Sequence, residues 1–307
     1  MRTVFFGTPK FAVPSLQALL KEGATIVAVV TQPDRPQGRS RSTLIPSPVK
    51  EVALAHDIPV FQPDRPTGDL FLTAMRRLEP ALGVVVAYGH LLKPELLAIP
   101  PFGMLNVHAS LLPAHRGAAP IQWSLMAGDT SSGVTIMQME AGLDSGPIRH
   151  QLATPITPWD TAGSLTERLA ELGAVALVEA LALDRIEQLP STPQDHSLAT
   201  HAPKINRELA RLDWSTAAEA VGRRIRAFDP APGAWTTLEG GEVKLFGARP
   251  VPENGPPGTI LAMTPSLVVA TGTDAVAIDE VQPTGKKRMS AEDWARGRGA
   301  AVGQRFQ

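Results

Sequence analysis

Asn106 and His108 stand two residues apart in the run Met104–Pro120, MLNVHASLLPAHRGAAP. The run starts apolar and becomes rich in Pro and Gly, which predicts a strand feeding a loop. Residues i and i+2 of a strand share one face, so an amide and an imidazole converge on one point. Asp144 lies in a second turn-rich segment, Ala141–Ile148, AGLDSGPI. The three residue types suit one chemistry. An amide N–H polarises a carbonyl while an imidazole and a carboxylate handle the proton of an attacking amine. Plain structural roles at a strand end and in a turn fit the same residues, and spacing alone leaves both readings open. The 307 residues include no cysteine, which excludes disulfides, thiolate metal sites and a cysteine nucleophile. His108, His115 and Asp144 match no zinc-ligand spacing, so no metal is expected.

The elements that must position these groups follow an alternating pattern. Thr3–Phe6 is a short apolar run of the kind found in buried parallel strands. A Gly-Thr-Pro turn follows, then apolar residues at helical spacing from Phe11 to Leu20, a stop at Gly23 and a second strand at Ile26–Val30. This is a βαβ unit. Gly7 lacks a second glycine two residues on, so the dinucleotide fingerprint is absent and NAD is not expected. Further strands are read at Val60–Phe61, Leu82–Ala87, Val134–Met139 and Ile148–Ala153, with Val134–Met139 as an edge or half-buried strand. Helices are read at Asp69–Leu78, from Ile121 and over Thr161–Leu183. Leu189–Lys204, with Pro190, Pro193 and Pro203 among Ser, Thr and Gln, reads as a linker. Beyond it come a helix at Ala217–Phe228 and five short strands between Ala234 and Val281, the pattern of a small barrel. The expected fold is α/β: a Rossmann-like, mostly parallel sheet in an N-terminal domain, residues 1–189, and a smaller C-terminal OB-like β-barrel domain, residues 205–307. Residues 190–204 join them.

Hydrophobic residues make up 43% of the chain and charged residues 19%, with a net charge of -1, so no global field favours a polyanion. Any nucleic acid must use local patches. Gln32–Pro46 carries Arg35, Arg39 and Arg41 against one acidic residue, Asp34. It reads equally as a grip on phosphates and as a solvated tip. Arg223, Arg224 and Arg226 share one helix, and Lys286, Lys287 and Arg288 follow Gly285. No signal-type segment and no membrane-length apolar stretch occurs, so no membrane partner is expected.

Several of these stretches are more specific together than apart. They include FFGTP (Phe5–Pro9), TQPDRPQGRSRS (Thr31–Ser42), VVVAYG (Val84–Gly89), NVHASLLPAHRGAAPIQW (Asn106–Trp123), GVTIMQM (Gly133–Met139), GLDSGP (Gly142–Pro147) and IRAFDPAPGAW (Ile225–Trp235). The chain resembles the folate-dependent formyltransferases. The basic loop and the C-terminal GKKRMSAEDW (Gly285–Trp294) make it similar to the methionyl-tRNA formyltransferases among them. The resemblance implies an enzyme that moves the formyl group of 10-formyltetrahydrofolate to the α-amino group of methionine on charged initiator tRNA. It implies Asn106, His108 and Asp144 as the catalytic set. Ser110, Leu111, Leu112 and Pro113 would line the folate pocket, and Gly142–Asp144 would flank the reduced pterin. Arg39, Arg41, Arg223, Arg226, Lys286 and Lys287 would contact the tRNA. A cytoplasmic monomer is expected. The alternatives are a formyltransferase acting on an amino sugar or a purine precursor, a 10-formyltetrahydrofolate hydrolase, and a non-catalytic RNA-binding protein.

Overall fold

The structure is a computed structural model and describes residues 1–37, 43–185, 189–297 and 299–307. Its first sheet grows from strand β1 (Arg2–Gly7), of which Thr3–Gly7 are buried. A short 3₁₀ turn at Lys10–Ala12 leads into α1 (Val13–Lys21), with a proline in the first turn where no amide hydrogen is needed. Next come β2 (Thr25–Val30), a small antiparallel hairpin of β3 (Arg35–Gln37) and β4 (Thr43–Ile45), α2 (Pro48–Ala55), β5 (Val60–Phe61), α3 (Asp69–Arg77), β6 (Leu82–Val86), α4 (Pro94–Leu97) and β7 (Met104–His108). After α5 (Pro120–Ala127) the chain adds β8 (Ser131–Gln138) and β9 (Ile148–Pro155), then α6 (Ala162–Arg185). Ser47 caps α2: its hydroxyl oxygen accepts from the Lys50 amide at 3.1 Å.

The strand order is β5-β2-β1-β6-β7-β8-β9. The pairs from β5 to β7 are parallel, and β7 pairs antiparallel with β8. The chain steps outward from β1 in both directions, so the carboxyl ends of β1, β6 and β7 lie where such sheets take ligands. The expected mostly parallel, Rossmann-like sheet is present. Val4, Phe6, Ala28, Val30, Val85, Tyr88 and Met104 form one of its apolar clusters. Burying a side chain of Phe6's size contributes roughly 1.5–3 kcal/mol, so a few such residues hold the strands in register.

Two readings are corrected here. Val134–Met139 is not an edge: β8 lies between β7 and β9, and Ser132–Met137 are buried. The long basic loop is not all irregular, since Arg35, Pro36 and Gln37 pair with Ile45, Leu44 and Thr43.

The second sheet follows α7 (Ala218–Ala227). It comprises β10 (Ala234–Leu238), β11 (Gly241–Val251), β12 (Ile260–Ala262), β13 (Leu267–Ala270), β14 (Ala275–Pro283) and β15 (Met289–Ser290), with α8 (Ala291–Arg296) after them. The order is β10-β11-β14-β13-β12, all antiparallel, with β15 on β14. This curled sheet is an OB-like half-barrel, open between β10 and β12. The last residues bridge the gap. Gln307 exchanges backbone hydrogen bonds with Thr237 at 2.9 and 3.2 Å, while Phe306 donates to Gly258 and Ile260 donates to Gln304, each at 2.9 Å. Phe306 stacks on Trp214 and Trp294 in the core beneath.

By compactness the chain forms two units, residues 1–117, 132–154 and 166–201 in one and residues 118–131, 155–165 and 202–307 in the other. Helix α5 therefore packs with α7. Gly128 ends α5 in the left-handed conformation, and a Cβ there would lie 2.6 Å from the Arg223 guanidinium.

Candidate active site

β7 delivers Asn106 and His108 to one face of the sheet, two residues apart. Asn106 is half-buried, and its side chain makes no hydrogen bond to the described residues. His108 is 6% exposed. Its Nε2 lies 3.0 Å from the His115 carbonyl oxygen, and its Nδ1 lies 3.7 Å from Asp144 Oδ2. A carbonyl oxygen only accepts, so Nε2 carries the hydrogen and Nδ1 presents a lone pair. The distance to Asp144 is too long for a direct hydrogen bond and right for a shared proton-bearing atom. Burial lowers the pKa of His108 below the ordinary histidine value, more than the Asp144 carboxylate and the His115 carbonyl raise it. The ring is therefore neutral at pH 7 and able to accept a proton.

Asp144 is placed by its loop. Its φ is +47°, in the left-handed region that Asp tolerates better than most residues. Its Oδ2 accepts from the Gly117 amide at 2.8 Å. Gly146 allows the loop to close: a Cβ there would sit 1.9 Å from the Gln138 carbonyl oxygen. His108 and Asp144 thus come within 3.7 Å of each other at the end of β7, and Asn106 lies on the same face of that strand, two residues before His108.

Ser110–Pro113 forms the braced turn that follows. The Ser110 hydroxyl donates to the Ala114 carbonyl at 2.6 Å. Buried Thr135 on β8 ties the turn down, donating to the Ser110 carbonyl at 2.7 Å and accepting from the Leu112 amide at 3.0 Å. Gln151 donates to the Leu112 carbonyl at 2.9 Å. Leu112 is buried, and Leu111 and Pro113 are half-buried.

Residues that pattern reasoning passed over complete the surroundings. Arg116 and Gln194 are buried, at 7% and 6% exposure, and bond to each other. The His115 amide donates to Thr200 Oγ1 at 2.8 Å, and the Arg116 amide to the Thr200 carbonyl at 2.9 Å. Gln194 and Thr200 lie in the Pro/Ser/Thr-rich stretch whose composition reads as a spacer. Tyr88, at the end of β6, is buried against Phe6 with ring centroids 5.5 Å apart, and burial pushes its phenol up to about 12. Among the described residues no three His, Asp or Glu side chains gather as a metal site would.

The predicted polyanion contacts divide. Arg39 and Arg41 lie outside the described residues. The base of their loop is fixed by Lys50, which contacts Asp34 at 2.6 Å and Gln62 at 2.8 Å, while Gln62 donates to the Gln32 carbonyl at 3.0 Å. The Lys50 bond, and a second from Gln62 Nε2 to Asp34 Oδ1 at 2.7 Å, hold the Asp34 carboxyl below the usual carboxylate range. Arg223 is half-buried along Gly128. Arg226 donates to the Asp160 carbonyl at 3.1 Å, and burial beside Arg223 lowers its pKa. Lys286 and Lys287 are exposed on the turn between β14 and β15. Arg288 beside them is engaged by Asp229 at 2.8 Å and Glu280 at 2.5 Å, and covers the Phe246 ring at 4.0 Å.

The comparisons with known proteins identify the class as formyltransferase. The formyl transferase family model matches residues 1–181, and the formyl transferase C-terminal domain model matches residues 204–299. A methionyl-tRNA formyltransferase of Methylococcus capsulatus is 50% identical over 297 residues, covering 96% of each chain. One of Pseudomonas putida is 49% identical over 294 residues, covering 95% of this chain and 94% of its own. The chain belongs to the methionyl-tRNA formyltransferase family. Among solved structures, WlaRD, a sugar 3N-formyl transferase crystallised in the presence of dTDP and 5-N-formyl-THF, shares the fold. Its TM-score is 0.69 at 16% identity, over 94% of this chain and 99% of that one.

Proposed function

We infer that the protein transfers the formyl group of 10-formyltetrahydrofolate to the α-amino group of methionyl initiator tRNA, giving N-formylmethionyl-tRNA for translation initiation. The observation that carries this reading is the approach of Asp144 to His108 at the end of β7, with Asn106 on the same strand face. The site fits the donor chemically: the Asn106 amide has no protein partner among the described residues, and a formyl oxygen is a partner it can take. When bound, the folate supplies an electrophilic formyl carbon. The chain supplies the rest. Asn106 N–H donates toward the oxygen on which negative charge grows, a contribution typically of about 3–4 kcal/mol. His108, neutral and with Nδ1 open, would take the proton of the attacking amine and return it to folate N10 as the bond from N10 to the formyl carbon breaks, so that tetrahydrofolate leaves neutral. Between the two transfers the His115 carbonyl holds Nε2–H, and Asp144 faces the positive charge on the ring. Positioned proton transfer of this kind contributes roughly 10²–10⁴ in rate. A free α-amino group has a pKa near ~7.7–8.0, and esterification lowers it, so neutral amine is present at physiological pH.

Ser110–Pro113 and Gly142–Asp144 would hold the folate, chiefly by shape, since Thr135, Gln151 and Ala114 already engage most polar groups of the Ser110–Leu112 turn. Arg39 and Arg41 would meet the acceptor end of the tRNA. Arg223, Arg226, Lys286 and Lys287 would meet its phosphates, as part of a C-terminal tRNA-binding domain of residues 205–307 joined by residues 190–204 to a catalytic domain of residues 1–189. The reading places the reaction in the cytoplasm, and among the described residues no helix is long and apolar enough to cross a membrane. The test is transfer of labelled formyl from 10-formyltetrahydrofolate to charged initiator tRNA by the purified chain. Label found on an amino sugar or a purine precursor, or released as formate, would overturn the reading.

A further inference from the structure

We propose that Gln194 is a positioning residue for Asp144, seated by Arg116 and gripping the carboxylate-bearing loop by its backbone. The proposal rests on the reading of Asp144 as the partner of His108. The loop needs such a grip. Asp144 is held in a left-handed conformation, which costs a non-glycine residue about 1–2 kcal/mol. Among the described residues its carboxylate is anchored by one hydrogen bond, from the Gly117 amide. Gln194 supplies the restraint from behind. Its Nε2 donates to the Asp144 carbonyl at 2.9 Å and to the Gly146 carbonyl at 2.7 Å, using both amide hydrogens across the chord of the turn. Its Oε1 accepts from Arg116 Nε at 3.0 Å and Nη2 at 2.6 Å. Arg116 Nη2 also lies 3.1 Å from His196 Nδ1.

The chemistry of the side chain is specific. The position requires a two-hydrogen donor toward two carbonyls, an acceptor toward a guanidinium, and no second negative charge behind Asp144. Among the twenty side chains only a carboxamide meets all three conditions. The arrangement is also closed. Arg116 sits between His115, whose carbonyl faces His108 Nε2, and Gly117, whose amide holds Asp144 Oδ2. The same three residues therefore fix the ring on one side and, through Gln194, the carboxylate loop on the other. The 3.7 Å separation of His108 Nδ1 and Asp144 Oδ2 is set by this circuit.

The test uses the full chain with charged initiator tRNA and 10-formyltetrahydrofolate at saturation. Gln194→Glu keeps the acceptor for Arg116 but turns an oxygen toward the two carbonyls. Gln194→Met keeps the length and offers neither bond. Both are expected to lower kcat roughly ten- to a hundredfold, since an ångström of misplacement has effects of that size. KM for the tRNA should stay within about twofold, as expected when ground-state binding is untouched. The Gly117 amide should exchange hydrogen at least about tenfold faster, because its acceptor is no longer held. In an Asp144→Ala background, measured by single turnover with enzyme in excess, adding Gln194→Glu should lower the rate less than about twofold, because residues acting through one another are not additive. Unchanged kcat in Gln194→Glu, or the same fold loss with and without Asp144, would overturn the proposal. Wild-type kcat in Asp144→Ala would overturn the reading of Asp144 itself, and the proposal with it. If Gln194→Met fails to fold, Gln194→Glu decides alone, since it retains the Arg116 contact.

Discussion

The end of β7 and the basic surfaces of the C-terminal sheet use polar side chains in opposite ways. At β7 the groups are few and mostly buried, and nearly every one is fixed by a neighbour: His108 by His115, Asp144 by Gly117, Ser110 by Ala114. Asn106 is the exception, its amide having no hydrogen-bond partner among the described residues. In the C-terminal unit the charges are many, but the sequence does not say which are free. Arg226 and Arg288 are engaged by Asp160 and by Asp229 with Glu280, whereas Lys286 and Lys287 stand clear. A two-residue spacing on a strand therefore specifies geometry, while a cluster of basic residues specifies only composition.

The sharpest way to break this contrast is at the strand end. His108→Ala and Asn106→Ala should each lower kcat by about 10²–10⁴ with little change in KM for tRNA. A loss of the same size in kcat from Lys286→Ala/Lys287→Ala would erase the distinction. Arg288→Ala should act on folding instead. It leaves the buried Asp229 carboxylate without its guanidinium, a loss of about 1–3 kcal/mol readable from urea denaturation midpoints. Lys286→Ala/Lys287→Ala should leave that midpoint in place. It should weaken tRNA binding several-fold at low salt and flatten the plot of log K against log salt by about one for each lysine on a phosphate. The smallest effect concerns pH. Below about pH 6.5 the unfolded chain binds a proton that folded His108 resists, so this residue makes stability fall as pH drops and recover as it rises. His108→Asn should flatten the stability profile between pH 7 and 5, and an unchanged profile would show that His108 titrates normally.

Much of the fold could be read before any coordinates. The alternation of buried strands and amphipathic helices from Thr3 to Val86 follows from period and punctuation, and so does the shared face of Asn106 and His108. What escaped depended on partners distant in sequence. Thr135 breaks the apolar run of β8 and suggests an edge strand. It is buried because its hydroxyl serves the Ser110 carbonyl and the Leu112 amide. Gln194 lies in a stretch whose Pro, Ser and Thr suggest a spacer, and nothing local reveals two carbonyls about fifty positions upstream. The β3–β4 hairpin was hidden by Pro36 and by arginines that have no strand preference. For Thr135 and Gln194 a polar residue took its meaning from a hydrogen bond across the fold, which no pattern within one segment encodes.

The seam that Gln304–Gln307 draws across the half-barrel bears on how the chain is made. Every strand of that sheet is translated before the segment that joins its two free edges. Until Gln304–Gln307 are in place, β10 and β12 are unjoined edges and Trp214 and Trp294 lack the Phe306 ring between them and solvent. During that interval the sheet has two exposed edges, the state in which strand pairing with a neighbour is easiest.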